Sequence, residues 1–119
     1  MIEKSPAEFD FEWQNKLGDI GDLEDKLHAE AETRLLKLTR GHKDMIGASI
    51  ILDHIDKASQ TQYWFRARIV VYTRPDNIVA VTEANTAMAA LKGSLDAVER
   101  QIREKRVKLR EWWRQRPLS

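Results

Sequence analysis

The segment Tyr63–Thr73 constrains the fold more than any other part of the chain, because apolar residues recur there at every second position. One face of a β-strand would hold Phe65, Ala67, Ile69 and Val71. The opposite face would hold Trp64, Arg66, Arg68, Val70 and Tyr72. This alternation of bulky and β-branched residues is typical of a strand with one buried face. The fold must therefore contain a sheet whose inner face is covered by other elements.

Three further segments are predicted to be strands. Glu8–Leu17 begins with alternating aromatic and acidic residues, and Met45–Leu52 has apolar residues at alternate positions. The inner face of the second segment would hold Ile46, Ala48, Ile50 and Leu52. Ile78–Thr82 follows turn residues at Arg74–Asn77, which implies an antiparallel hairpin with the strand before the turn. The polar segment Asp53–Gln62 should form a connection.

Two segments have the helical period instead. The first extends from Leu23 to about Leu38, with Asp22 as a candidate N-cap and Gly41 as a stop signal. Its apolar stripe is Leu23, Leu27, Ala31, Leu35 and Leu38. The second extends from Asn85 to about Trp113, and Gly93 within it would allow close approach to a neighbouring element. Its stripe is Met88, Leu91, Leu95, Val98, Ile102, Leu109 and Trp112.

The element order is therefore β-α-β-β-β-α. This order predicts an α+β fold, a two-layer sandwich in which a mostly antiparallel four-stranded sheet carries two helices on one face. The length of 119 residues suits one domain, which would occupy residues 1–119 with a core at about 7–114.

Composition limits the class of protein. The chain is 42% hydrophobic and 33% charged, and it has no cysteine, which excludes disulfides, thiolate nucleophiles and cysteine-bound metals. The N-terminus does not resemble a secretory signal, and no window approaches the roughly 20 apolar residues of a membrane span. We expect a soluble, cytoplasmic protein without a membrane partner.

Positive charge is concentrated towards the end of the chain. Residues 1–60 hold 8 Lys/Arg against 13 Asp/Glu, whereas residues 61–119 hold 12 against 6. Residues 100–119 alone contain 8 basic and 2 acidic side chains. This asymmetry indicates a polyanionic partner that meets one end of the molecule.

The basic residues of the second helix have helical spacing. Those that would share one face are Arg100, Arg103, Arg106 and Arg110, and Lys105 and Lys108 flank them. A solvated helix surface is the ordinary explanation of such a pattern. The scarcity of nearby acids and the preference for Arg, whose planar fork matches phosphate oxygens, favour a nucleic-acid backbone.

Two other surfaces could contact a partner. The outward face of Tyr63–Thr73 could be an aromatic RNA platform, but a solvent-exposed face or a homodimer interface is the better interpretation. Trp112 and Trp113 are adjacent on the helix, so both cannot face the core. Trp112 is expected in the core, and Trp113 is left for a base, a dimer contact or a partner protein.

No catalytic or metal-binding pattern is recognisable. His28, His42 and His54 do not have ligand spacing, and Asp53 and Asp56 beside His54 have no nucleophile placed by a motif. The chain contains no phosphate-binding loop, no dinucleotide fingerprint and no HExxH motif. We expect no enzymatic activity, no metal and no cofactor.

The strand from Ile78 and the helix after it resemble the ribosome hibernation-promoting factors, also called ribosome-associated inhibitors. That family has a strand with Ile-x-Ala-x-Ala-Glu, then Met-Tyr-Ala-Ala-Ile-Asp and Asp-x-Leu-Glu-Arg-Gln-Leu-Arg. Here Ala89-Ala90-Leu91 and then Asp96-Ala97-Val98-Glu99-Arg100-Gln101-Ile102-Arg103 match in register. The β-α-β-β-β-α order matches over nearly the whole chain, which would be a short form without the additional dimerisation domain of the long forms.

The resemblance implies a stress-response factor that binds ribosomal RNA of the small subunit, fills the channel for messenger and transfer RNA, and inhibits translation. It nominates Arg100 and Arg103 within the motif and Arg106 just beyond it as RNA contacts. On the first helix Arg34, Lys37 and Arg40 are candidates by location. The alternative is a non-enzymatic, dimerising protein-interaction module of the same fold.

Overall fold

The computed structural model describes residues 10–40, 45–55, 64–74 and 76–115, and it describes side chains as far as residue 105. Its elements are β1 (Asp10–Asn15), α1 (Asp22–Thr39), β2 (Gly47–Ile55), β3 (Trp64–Tyr72), β4 (Ile78–Ala84) and α2 (Ala87–Gln115). The predicted order β-α-β-β-β-α is confirmed.

The strands form one sheet in the order β1-β2-β3-β4. β1 pairs with β2 in parallel, whereas β2–β3 and β3–β4 are antiparallel. In the middle of the sheet Ile50 lies opposite Ile69, and Ile69 lies opposite Ala80. This register places the buried residues of all three strands on one face, as the sequence periodicity predicts.

Both helices cover that face and share one core with it. The fully buried large side chains include Leu27 and Leu35 of α1, Leu91 and Leu95 of α2, and Ile50 of the sheet. The predicted α+β sandwich with two helices on one face is therefore confirmed.

Contacts with the edge strand fix the direction of α1. Glu24 accepts a hydrogen bond from the indole Nε1 of Trp13 at 3.1 Å. One turn later, His28 contacts Phe11, which precedes Trp13 on β1, with ring centroids 5.1 Å apart. α1 therefore runs antiparallel to β1.

Contacts with β4 fix the direction of α2 in the same way. Gly93 lies against Thr82, and further along the helix Gln101 donates to the Val79 carbonyl at 3.1 Å. α2 therefore runs antiparallel to β4. β2 and β4 are both antiparallel to β3, and β1 is parallel to β2, so β1 and β4 point in the same direction. The two helices therefore also run in the same direction, and their C-terminal halves lie towards the same end.

Small residues of α2 set its distance from the sheet. A Cβ atom on Gly93 would lie 2.6 Å from Cγ2 of Thr82, so the predicted close approach at this glycine is confirmed. The buried hydroxyl of Ser94 donates to the Ala67 carbonyl at 2.7 Å.

Four details of the sequence interpretation are wrong. Gly21, with φ of 64°, is the N-cap of α1, and Asp22 is the first helical residue. β2 continues through Ile55, since polar residues can still pair with β3. Ile46 precedes the strand and is 45% exposed, and Leu23 in the first turn of α1 is 39% exposed. The predicted stop at Gly41 lies outside the described residues.

Candidate nucleic-acid interface

Four of the nominated basic side chains are exposed near the C-terminal end of α1 and around the middle of α2. They are Lys37 in the last turn of α1, Arg40 directly after that helix, and Arg100 and Arg103 on α2. Because the helices are parallel, these residues lie towards one end of the helical layer. None of the four forms an ion pair with any residue that the structure describes.

Arg34, also nominated, is engaged with α2. Its Nη2 lies 2.6 Å from Oδ1 of Asp96 and 3.0 Å from Oε2 of Glu99, and its Nε donates to the same Glu99 oxygen at 3.3 Å. Glu30 of α1 is a more distant partner at 3.9 Å. Burial lowers the pKa of the Arg34 guanidinium, but hydrogen bonds to Asp96 and Glu99 outweigh this effect and raise the pKa above its ordinary value.

Lys105 is engaged with the sheet. Its Nζ donates to Oγ1 of Thr73 at 3.1 Å and to the carbonyl of Arg74 at 2.7 Å, in the connection between β3 and β4. The ammonium group therefore attaches α2 to this turn, although the sequence placed it beside the basic face.

The remaining nominated side chains lie outside the part whose side chains are described. Arg106, Lys108 and Arg110 belong to α2 by their backbone. The same holds for Trp112 and Trp113, so the expected burial of Trp112 stays a prediction.

The outer face of the sheet is covered by neither helix. Val79 and Val81 of β4 are 45% and 52% exposed. Beside them is a depression of about 310 Å³ lined by Lys16, Ile51, Asp53, Arg66, Arg68 and Val81. Asp53 lies 3.8 Å from Arg66, so acid and base partly cancel on this face.

The described residues provide little for catalysis or metal binding. His28 packs against Phe11 and Trp13, with Glu32 at 3.9 Å. In residues 10–40, 45–55, 64–74 and 76–105, whose side chains are described, no group of three or more metal-ligating side chains converges. Over the same ranges, neither helix is long and apolar enough to span a membrane.

The acidic partners of Arg34 on α2 were not predicted from the sequence. Asp96 and Glu99 are spaced i, i+3, which places them on neighbouring positions of one helix surface. That spacing was the available signal, but their partner on α1 is 62 and 65 residues away in the chain.

Comparison with known proteins identifies a family with a matching sequence pattern. The sequence model of the family described as sigma 54 modulation protein / S30EA ribosomal protein matches residues 18–110. A search of curated proteins found no significant match.

Two solved structures have a similar fold. One is a ribosomal subunit interface protein from Coxiella burnetii, with TM-score 0.63 and 16% identity, covering 82% of this chain and 98% of that one. The other is the N-terminal domain of Thermus thermophilus Protein Y, with TM-score 0.58 and 20% identity, covering 81% of this chain and 93% of that one.

Proposed function

The chain belongs to the sigma 54 modulation protein / S30EA ribosomal protein family, a family of ribosome-associated factors, and on that premise we propose that it binds RNA of the small ribosomal subunit. The contact surface is formed by the C-terminal end of α1 and by α2 from Arg100 onward. By filling the channel for messenger and transfer RNA, the protein silences idle ribosomes in the cytoplasm under stress.

The observation that carries this proposal is the set of cations without carboxylate partners. Lys37, Arg40, Arg100 and Arg103 are exposed and form no ion pair with the residues that are described. Their positive charge is therefore available to an external anion. Arg side chains bind phosphate oxygens with two parallel hydrogen bonds, which makes an RNA backbone a suitable ligand.

Inhibition requires occupancy and no chemistry. A helix of 29 residues such as α2 extends over about 43 Å at 1.5 Å per residue. Held by the sheet, it can contact several phosphates along an RNA groove or between two RNA segments. Charge would supply affinity, and the shape of the folded body would select the binding place.

The test compares two triple variants in co-sedimentation with purified small subunits. Arg100→Ala/Arg103→Ala/Arg106→Ala should abolish co-sedimentation while circular dichroism stays unchanged. The matched control Lys16→Ala/Arg66→Ala/Arg68→Ala also removes three positive charges, but from the outer face of the sheet, and should retain binding. Equal behaviour of the two variants would contradict the assignment to the helical face.

A second candidate is a dimerising interaction module that uses the outer sheet face. The exposed Val79 and Val81 favour it, since adjacent apolar side chains on an uncovered face suit a protein contact. Salt separates the candidates. RNA binding weakens steeply as salt rises, whereas association through the valines hardly changes and would appear as a concentration-dependent mass in sedimentation equilibrium.

A further inference from the structure

Arg34 connects the two helices that carry the proposed RNA-binding surface. Among the described residues, its pairs with Asp96 and Glu99 are the ion pairs that join α1 to α2. The Arg34 side chain is only 21% exposed, so it is largely enclosed between the two helices.

The geometry uses the shape of the guanidinium group. Nη2 reaches Asp96 while Nε and Nη2 both reach Glu99, so one planar group holds two carboxylates that are nearly one helical turn apart. This fixes the rotation of α2 as well as its distance from α1. A lysine ammonium has the same charge but lacks the rigid fork that spans the two positions.

The contact of Arg34 with Asp96 and Glu99 lies next to the exposed cations on both helices. Lys37 is three residues after Arg34 on α1, and Arg100 and Arg103 follow Asp96 at i+4 and i+7 on α2. Residues at these spacings share a helical face. Fixing Asp96 relative to Arg34 therefore fixes the cations of α2 relative to those of α1.

We propose that Arg34 is a positioning residue, which holds α1 and α2 so that their exposed cations form one surface, and that it does not contact RNA itself. This inference rests on the proposed function. If Arg34 turned to a phosphate, Asp96 and Glu99 would lose their partner beside that phosphate. Glu99, whose side chain is 28% exposed, would be left partly desolvated as well as repelled.

The first measurement is the distance between the helices without RNA. The chain has no cysteine, so Ala29→Cys and Glu104→Cys, both at exposed positions, accept spin labels site-specifically. We expect Arg34→Met and Arg34→Lys to broaden the distance distribution. The matched control Lys37→Met, which removes an exposed cation one turn later, should leave it unchanged.

The second measurement is the salt dependence of binding to small subunits by unlabelled variants. Losing one phosphate contact changes the slope of log K against log salt by about 0.7 to 0.9. Arg34→Met should weaken binding at each salt concentration with its slope unchanged, whereas Lys37→Met should lose about that much slope. Arg34→Lys should resemble Arg34→Met, because lysine lacks the rigid fork that spans the two carboxylates. If Arg34 contacted a phosphate directly, lysine would be tolerated and binding would stay close to that of the wild type.

An unchanged distance distribution in Arg34→Met overturns the proposal, as does a slope that falls as far as in Lys37→Met. A wild-type protein without affinity for small subunits would contradict the proposed function instead. In that case the distance distributions alone decide whether Arg34 positions the helices.

Discussion

At Gly93, α2 crosses β4 so closely that the methyl group of an alanine would clash with the strand. The Cγ2 atom of Thr82 lies 2.6 Å from where a Cβ would stand. Thr82 is β-branched and sits on a strand, so its side chain has few other rotamers to adopt. Packing against the sheet therefore favours glycine at this position, even though glycine disfavours a helix interior by about 1 kcal/mol relative to alanine.

Gly93→Ala should destabilise the protein by about 1 kcal/mol, because overpacking of roughly 1–3 kcal/mol exceeds the gain in helix propensity. In the background Thr82→Ser, which removes Cγ2, the same change should be neutral or stabilising. Urea unfolding of the four proteins in this double-mutant cycle measures their free energies of unfolding. The differences give the sign of the effect of Gly93→Ala in each background. Equal effects of Gly93→Ala in both backgrounds would refute the contact with Thr82 as the cause.

On the scale of the elements, several polar attachments fix the position of α2. Lys105 binds the β3–β4 turn, Gln101 binds the edge strand, and Arg34 connects the helix to α1. Gln101 and Lys105, spaced i, i+4, lie on one side of the helix, and the carboxylates that bind Arg34 lie on another side. Together these attachments hold the described part of α2 in place while leaving Arg100 and Arg103 directed to solvent.

Lys105→Met should lower the free energy of unfolding by about 1 kcal/mol, since two hydrogen bonds to the turn are lost while the apolar stem remains. The salt slope of RNA binding should stay at its wild-type value, because the ammonium group is already bound to Thr73 and Arg74. Arg103→Met is the matched comparison, with little change in stability and a reduced slope. A reduced slope in Lys105→Met would identify it as a phosphate contact.

The order and type of the elements were predictable from the sequence because each buried face has its own period. The ends of the elements were harder to predict. Ile46 continues the alternation of β2, yet Met45 is buried at that end of the core and Ile46 is exposed. Asp53 looked like loop sequence, but it pairs with Arg66 on β3 within the sheet.

The candidate site was predictable only in part for a related reason. Helical spacing identified Arg100 and Arg103 as neighbours on one surface, and the structure leaves both exposed. The engagement of Arg34 and Lys105 depends on residues 31 to 65 positions away, which come together only when both helices pack on the sheet. The spacing of Asp96 and Glu99 places these two acids on one helix surface, but it does not identify Arg34 as their partner.

On the scale of the whole molecule, the charge distribution matters more than the net charge of +1. α1 begins with Asp22, Glu24 and Asp25, and the parallel helices put Lys37, Arg40, Arg100 and Arg103 towards the opposite end. Such a molecule is oriented by the field of a polyanion, with its basic end approaching first. The proposed binding to the small subunit therefore depends on direct contact between this end of the molecule and phosphates.

The most direct test is the affinity of the wild-type protein for purified small subunits at a series of salt concentrations. Contact with about four phosphates predicts that log K falls against log salt with a slope of about −3. The triple variant Arg100→Ala/Arg103→Ala/Arg106→Ala should bind too weakly to be measured over the same range. A wild-type slope near zero would mean that the subunit is bound without phosphate contacts, which would contradict the central claim.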